Sequence, residues 1–397
     1  MPNDPLMSRA RELRGELVEL RRDIHRHPEL AFHEARTADA GRRYLESQGL
    51  KVQTGIAGTT GLLATLDSGR PGRTLIIRAD MDALPIVEAS GADYASRTQG
   101  VMHACGHDVH VACALGAAKL LAERKERLKG TVKFVLQPAE ESPPGGAKVL
   151  IEEGGILDGV DAALALHVYS GFPVGQVGFR AGQMLAHSDR FDIVVRGVGG
   201  HAARPHLTVD AIAVAAQVVQ ALQYLVSREN DPLHPFVITI GSIHGGRAAN
   251  VITDEVEMQG TTRCLDDQAA AQLPEKMERV VRGVCQAARA NVDFTFQRGY
   301  PALVNDPVFT ERSIVSARSL LGDDKVHLIP RAEMGGEDFA YFSRRVPSTM
   351  FRLGVRNDAT GIVYPVHSPR FDVDEDALPV GAATLARIAL DYVTEGA

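Results

Sequence analysis

Apolar residues near the start of the chain recur at Leu13, Leu17, Leu20 and Ile24, spacings of four and three that place them on one helical face. That helix is predicted to stop before Pro28, because the residue preceding a proline is driven out of the helical region. Short apolar runs then take over at residues 74 to 78, 131 to 136 and 164 to 168, each the length of a strand and separated from the next by helical stretches. The alternation persists to about residue 182 and predicts an α/β layered domain around a central sheet.

From Ser188 the order changes. Residues 190 to 197 (RFDIVVRG) read as a strand, 208 to 229 as a long helix, and 235 to 243 and 255 to 264 as two strands. A helix over about 268 to 290 and a strand over 291 to 299 complete β-α-β-β-α-β, the order of a ferredoxin-like α+β unit. Chemistry-bearing residues lie on both sides of this unit, so it is read as an insertion. The expected domains are a discontinuous catalytic one (1 to 185 and 300 to 397) with a mixed sheet and an inserted lid or dimerisation one (186 to 299). Two crossings, near 183 to 187 and 299 to 303, would join them and suit a hinge.

Composition narrows the class without naming a function. A chain of 397 residues is long for one core. With 43 basic and 50 acidic residues the net charge is -7, which points away from nucleic acid and toward simple solubility. The four cysteines at 105, 113, 264 and 285 have no disulfide-framework spacing, and a thiolate ligand would favour a reducing compartment. Residues 1 to 20 lack a signal-peptide pattern, and there is no apolar run of 18 residues. A cytoplasmic protein without membrane contact is expected.

The densest chemistry is MHACGHD (102 to 108), with His103, Cys105, His107 and Asp108 in one short stretch. Thiolate and imidazole two residues apart suit zinc and its first-row neighbours, but a Cys beside a His could also be a thiol nucleophile, or simply a buried thiol near satisfied imidazoles. Further candidates follow predicted strands: Asp80 and Asp82 in RADMDALP, Glu140 and Glu141 in QPAEES, and His167 in LALHVY. His367 in YPVHSP adds another. Ligands gather beyond the carboxyl ends of strands in open α/β sheets, and adjacent carboxylates make most sense beside a cation that holds one while the other handles protons.

Taken together, RADMDALP, GVMHACGHD, QPAEE, LALHV, GGHAARPH, MGGEDF and YPVHSPRF resemble the co-catalytic metallopeptidase family of aminoacylases and glutamate-releasing carboxypeptidases. Cys-Gly-His-Asp is similar to its amidohydrolase branch of hippurate hydrolases, N-acyl-amino-acid amidohydrolases and auxin-conjugate hydrolases, and the likeness runs from about Leu17 to Gly381. The resemblance implies two divalent metal ions (zinc, manganese, cobalt or nickel) held by Cys105, His107, Glu141, His167 and His367, with Glu140 as general base. Asp80 and Asp82 would orient the ligands or the water. His201, contributed across a homodimer or tetramer, would stabilise the oxyanion. Asn250 and Arg263 match positions that contact the substrate's carboxylate end, and Gly335 and Gly336 would let substrate approach the backbone. Tyr169 stands where this branch often carries Trp. Hydrolysis of an N-acyl or aryl-acyl amino acid, or a dipeptide-like amide, is the expected reaction. A Cys105 thiol amidase and a non-catalytic binding member of the same fold are the alternatives; the first leaves Glu141, His167 and His367 unexplained, and intact Glu140 argues against the second.

Overall fold

A computed structural model describes residues 4 to 394. It divides into two compact units, one formed by the chain up to Met184 with Val304–Arg331 and everything from Asp338 onward, the other by Leu185–Leu303 with Ala332–Glu337. The short 332 to 337 stretch was not anticipated. It belongs with the second unit because Ala186 N donates to Gly335 O at 2.9 Å and Leu185 bridges Glu333. At Gly336 an added Cβ would stand 2.6 Å from the Ser188 Cβ, so close approach of two chain segments is reason enough for a glycine there.

The first unit is built on an eight-stranded mixed sheet. Its order is Lys51–Thr54, Leu62–Asp67, Thr131–Gln137, Thr74–Asp80, Ala162–Pro173, Ser348–Arg356, Val177–Phe179 and Val326–Leu328. The four central strands run parallel, and their buried apolar runs are what a sheet covered on both faces requires. The opening helical pattern is realised as Arg14–Arg26, ending before Pro28, with Leu17 and Ile24 buried and a separate short helix Pro5–Glu12 ahead of it. Helix His107–Ala122 is apolar nearly all round and correspondingly buried on nearly every side. Helix Ala377–Thr394 packs against it.

The second unit carries a four-stranded antiparallel sheet in the order Phe236–Gly245, Glu255–Cys264, His187–Arg196, Asn291–Tyr300. Helices Ala211–Tyr224 and Asp267–Ala287 cover it, and the long predicted helix ends in a π-helical turn at Leu225–Glu229. This is the ferredoxin-like arrangement, with a core of its own centred on Phe191, Ile193, Val218 and Met277. Among the described residues no helix is long and apolar enough to cross a membrane.

Candidate metal centre

Two neighbouring parallel strands end at one rim, and a third runs past it. Thr74–Asp80 ends in Asp80, with Asp82 two residues on; Thr131–Gln137 leads into Glu140 and Glu141. His167 is not at a strand end, since Ala162–Pro173 continues for six residues beyond it. Pairing with Thr74–Asp80, however, stops at Ala165 opposite Arg78, so His167 lies beyond the paired stretch, at the level of Asp80. Gly106, at a φ of +81° and packed against Val168, turns the chain so that His107 becomes the first residue of its helix. His367 enters on a loop in the left-handed region, φ +66°, its N–H bonded to Ala104 O at 2.7 Å.

Donor atoms of Cys105, His107 and His167 lie within 4.8 Å of one another, and so do those of Cys105, Glu141 and His367 and those of His107, Glu140 and Glu141. Five expected ligands and the expected base are therefore contiguous. Their tautomers are set by backbone. His107 Nδ1 meets Asp82 O at 2.7 Å, and His167 Nδ1 meets Val168 O at 2.8 Å. A carbonyl can only accept, so both Nδ1 atoms carry a proton, which leaves Nε2 of each ring as the nitrogen that a cation would take once any proton on it is displaced. His167 Nε2 faces Cys105 Sγ at 3.5 Å. His107 Nε2 and Glu141 Oε1 are buried without a hydrogen bond, each with an ionic neighbour outside bonding geometry: Asp80 Oδ2 at 3.6 Å from the first and His367 Nε2 at 3.2 Å from the second. Such orphaned buried donors and acceptors are costly unless something occupies the space between them, and the thiol, imidazole and carboxylate set fits a divalent ion.

Electrostatics point the same way. Cys105 and then Glu141 push His367 up to about 10, and burial pushes His167 well down, keeping it neutral. Burial disfavours charge on His107, yet Asp80 and Cys105 outweigh it and raise its pKa well above the usual range. A cluster that draws positive charge onto two of its three imidazoles is one a cation would satisfy. Burial, with Glu141, raises the Cys105 thiol; a nucleophilic cysteine needs the opposite shift.

Around the donors lies a shell of buried acids. Asp82 accepts from Glu140 N at 2.9 Å and Glu141 N at 3.0 Å, so one carboxylate fixes the backbone of both. Burial alone would raise Asp80, but Arg78, His107 and His110 outweigh it and hold it well below the carboxylate range. His110 escaped the reading of the sequence, although its i+3 spacing from His107 puts both on one helical face. Its Nδ1 meets Asp80 at 2.6 Å and its Nε2 accepts from Val168 N at 3.0 Å, so neither nitrogen is left for a cation. His103 lies apart from these donor groups, buried and pushed down to about 3 by desolvation. Asp338 accepts from Arg78 Nη2 at 2.7 Å, from Gln137 Nε2 and from Ala147 N, a structural position that ties down the far end of the Glu140 loop.

The sequence matches peptidase family M20/M25/M40 over residues 76–391. The chain belongs to that family. It is 43% identical over 294 residues to the N-acyl-L-amino acid amidohydrolase of Geobacillus stearothermophilus, covering 74% of this chain and 79% of that one. It is 38% identical to thermostable carboxypeptidase 1 of Saccharolobus solfataricus, covering 98% of each. The crystal structure of the Bacillus subtilis YXEP protein, a dinuclear metal binding peptidase of family M20, superposes with a TM-score of 0.83 at 34% identity, over 96% of this chain and 99% of that one. Family M20 membership makes the chain a hydrolase and agrees with the fold described above.

The other expected residues belong to the second unit. His201 is exposed on a two-residue strand paired with Val251–Ile252, its Nδ1 accepting from Ala203 N at 3.1 Å. Asn250 is exposed, and its carbonyl accepts from Ala202 N. Arg263 is half-buried and directs Nη1 to Thr261 Oγ1 and Thr262 O within its own strand. Gly335 and Gly336 lie in the 332 to 337 stretch.

Proposed function

We propose that the chain hydrolyses the amide bond of N-acyl or aryl-acyl amino acids and dipeptide-like amides, using two divalent ions held by Cys105, His107, Glu141, His167 and His367. The observation that carries this reading is the convergence of those donors, with His107 Nε2 and Glu141 Oε1 buried and unbonded. Zinc, manganese, cobalt and nickel all suit such a set. When bound, such ions polarise a scissile carbonyl and lower the pKa of a water. Glu140 takes a proton from the attacking water and returns it to the leaving nitrogen. Asp82 and Asp80 keep the loop and the imidazoles in place for it.

The second unit supplies substrate recognition in this reading. His201 donates to the oxyanion from across a homodimer, and the exposed Val198, Leu207 and Ile212 near it in the chain, with Val251 paired opposite it, supply the apolar surface such an interface needs. Asn250 and Arg263 read the free carboxylate of the substrate, with Gly335 and Gly336 admitting it past the backbone. All four cysteines are buried and free, which supports a cytoplasmic, reducing location.

Purified, metal-loaded protein should hydrolyse members of an N-acyl amino acid panel and reject their carboxamides. Glu140→Gln should lower kcat roughly a hundredfold or more with metal content intact, while Glu141→Gln should release metal. A Glu140→Gln variant with ordinary turnover would contradict the assignment of the base.

A further inference from the structure

The Glu140 loop is anchored by a residue far from the metal-binding motifs. Three consecutive N–H groups lead into the adjacent carboxylates, and each donates to a buried acid: Ala139 to Glu34 Oε1 at 2.9 Å, Glu140 to Asp82 Oδ1 at 2.9 Å and Glu141 to Asp82 Oδ2 at 3.0 Å. Asp82 belongs to the rim of the site itself. Glu34 comes from the residue just before helix Ala35–Ser47 and is fully buried. Its Oε1 also accepts from Phe32 N, and its Oε2 accepts from the Thr60 hydroxyl. Burial pushes the Glu34 carboxyl above its ordinary range, a cost that an idle side chain at the surface would not incur.

The backbone records the effect of this contact. Ala139 has a φ of +55°, in the left-handed region that residues with a Cβ avoid, and it is fully buried. Strain of this kind persists only where surrounding contacts over-determine it. Here the neighbouring contacts are the Glu34 bond to Ala139 N and the bond from Gly146 N to Ala139 O at 3.1 Å. With Ala139 turned this way, the next two N–H groups face Asp82 and the Glu140 side chain leaves the backbone in a fixed direction.

We propose that Glu34 is a positioning residue for Glu140: by fixing Ala139 in its left-handed conformation it sets the backbone from which the general base is aimed. The proposal rests on the reading of Glu140 as that base. Glu34 touches no donor of the metal cluster; it acts through one peptide.

The test uses full-length, metal-loaded protein and three substitutions. Glu34→Leu removes the acceptor, Glu34→Gln keeps a carbonyl oxygen toward Ala139 and can donate to Thr60, and Glu34→Asp stays anionic but is one carbon too short. With N-benzoylglycine as substrate, Glu34→Leu should lower kcat by about tenfold to hundredfold with unchanged metal content. KM should stay within about threefold, and Glu34→Gln should restore kcat to about the same margin. Hydrogen exchange supplies a readout independent of turnover: amides 139 to 141 should exchange at least about tenfold faster in Glu34→Leu than in wild type, and near wild type in Glu34→Gln. If Glu34→Leu does not fold, Glu34→Asp should move kcat and exchange in the same direction. Wild-type kcat and exchange in whichever of the two folds would overturn the proposal. So would loss of metal as the only effect, which would place the influence of Glu34 on Glu141. Glu140→Gln is measured alongside. If it keeps its turnover, the base reading fails and the proposal with it; if it is inactive while Glu34→Leu is fully active, the proposal alone fails.

Discussion

In the first unit Cys105, His107, His167 and Glu140 are at most 8% exposed; backbone carbonyls hold the His107 and His167 imidazoles, and the buried Asp82 accepts from the backbone N–H groups of Glu140 and Glu141. In the second unit His201 and Asn250 are exposed, on a two-residue strand and in the loop just before its partner, and only backbone contacts of their immediate surroundings steady them. The contrast separates two ways of building a site. Buried polar groups need partners, and in the first unit most of those around the donors find them within the chain, leaving His107 Nε2 and Glu141 Oε1 for a cation. Exposed groups make no such demand, and a role for them requires something else to arrive, whether substrate or a second chain.

If the first region is rigid because its charges are paired, unpairing one should be the most damaging change. Arg21, fully buried, bonds Asp108 at 2.7 Å, Asp372 at 3.1 Å and Glu375 at 3.2 Å, and Asp108 follows His107 directly. Arg21→Met should cost about 3 to 5 kcal/mol in urea unfolding at neutral pH, because it strands buried carboxylates. Burial alone would raise Asp108, but Arg21 and then His25 outweigh it and hold its carboxyl far below the carboxylate range. Its pairing therefore stabilises above the unfolded pKa of about 3.9 and is lost as pH falls, and the gap between wild type and variant should narrow below about pH 4. A gap independent of pH would assign the loss to packing alone.

The second region should respond in activity and hardly at all in stability. His201→Ala should lower kcat by about 2.7 to 4 kcal/mol of transition-state stabilisation, as removal of an oxyanion donor does, with unfolding unchanged. Mixed and refolded with Glu140→Ala, it should regain partial activity, since a two-fold heterodimer places both lesions in one site and none in the other. No recovery in verified heterodimers would confine His201 to its own chain or remove it from catalysis.

A smaller effect sharpens the same contrast within the first region. Asp82→Ala removes the acceptor of two N–H groups and a carboxylate 3.4 Å from His107 Nδ1 without touching a metal donor. Metal affinity should weaken by about tenfold to hundredfold, measured by competition with a chelator. Unchanged affinity would mean that the loop is held well enough by Glu34 and Asp338.

The same contrast explains what the sequence disclosed. The helix ending before Pro28 and the six elements of the ferredoxin-like unit were legible because each buries one periodic apolar face. The candidate ligands stood out because they fall in short motifs, and their assignment to metal came from the family likeness those motifs carry together. The roles of His110 and Glu34 were not legible: the i+3 spacing from His107 marks a shared helical face but not the bond of His110 to Asp80, and no local pattern ties Glu34 to Ala139. The assignment of 332 to 337 to the second unit was hidden for a similar reason: it depends on contacts with Leu185, Ala186 and Ser188, distant in sequence.

If Cys105, His107, Glu141, His167 and His367 hold metal required for amide hydrolysis, removing that metal must abolish turnover. The most direct measurement is to strip the protein with a chelator, verify the apoprotein by mass spectrometry, and follow turnover and Cys105 alkylation during metal titration. Turnover should be absent at first, rise with added ion and level off at two per chain, while Cys105 becomes protected in step. Full turnover by verified apoprotein, abolished by alkylation of Cys105, would contradict the account and make the thiol the nucleophile.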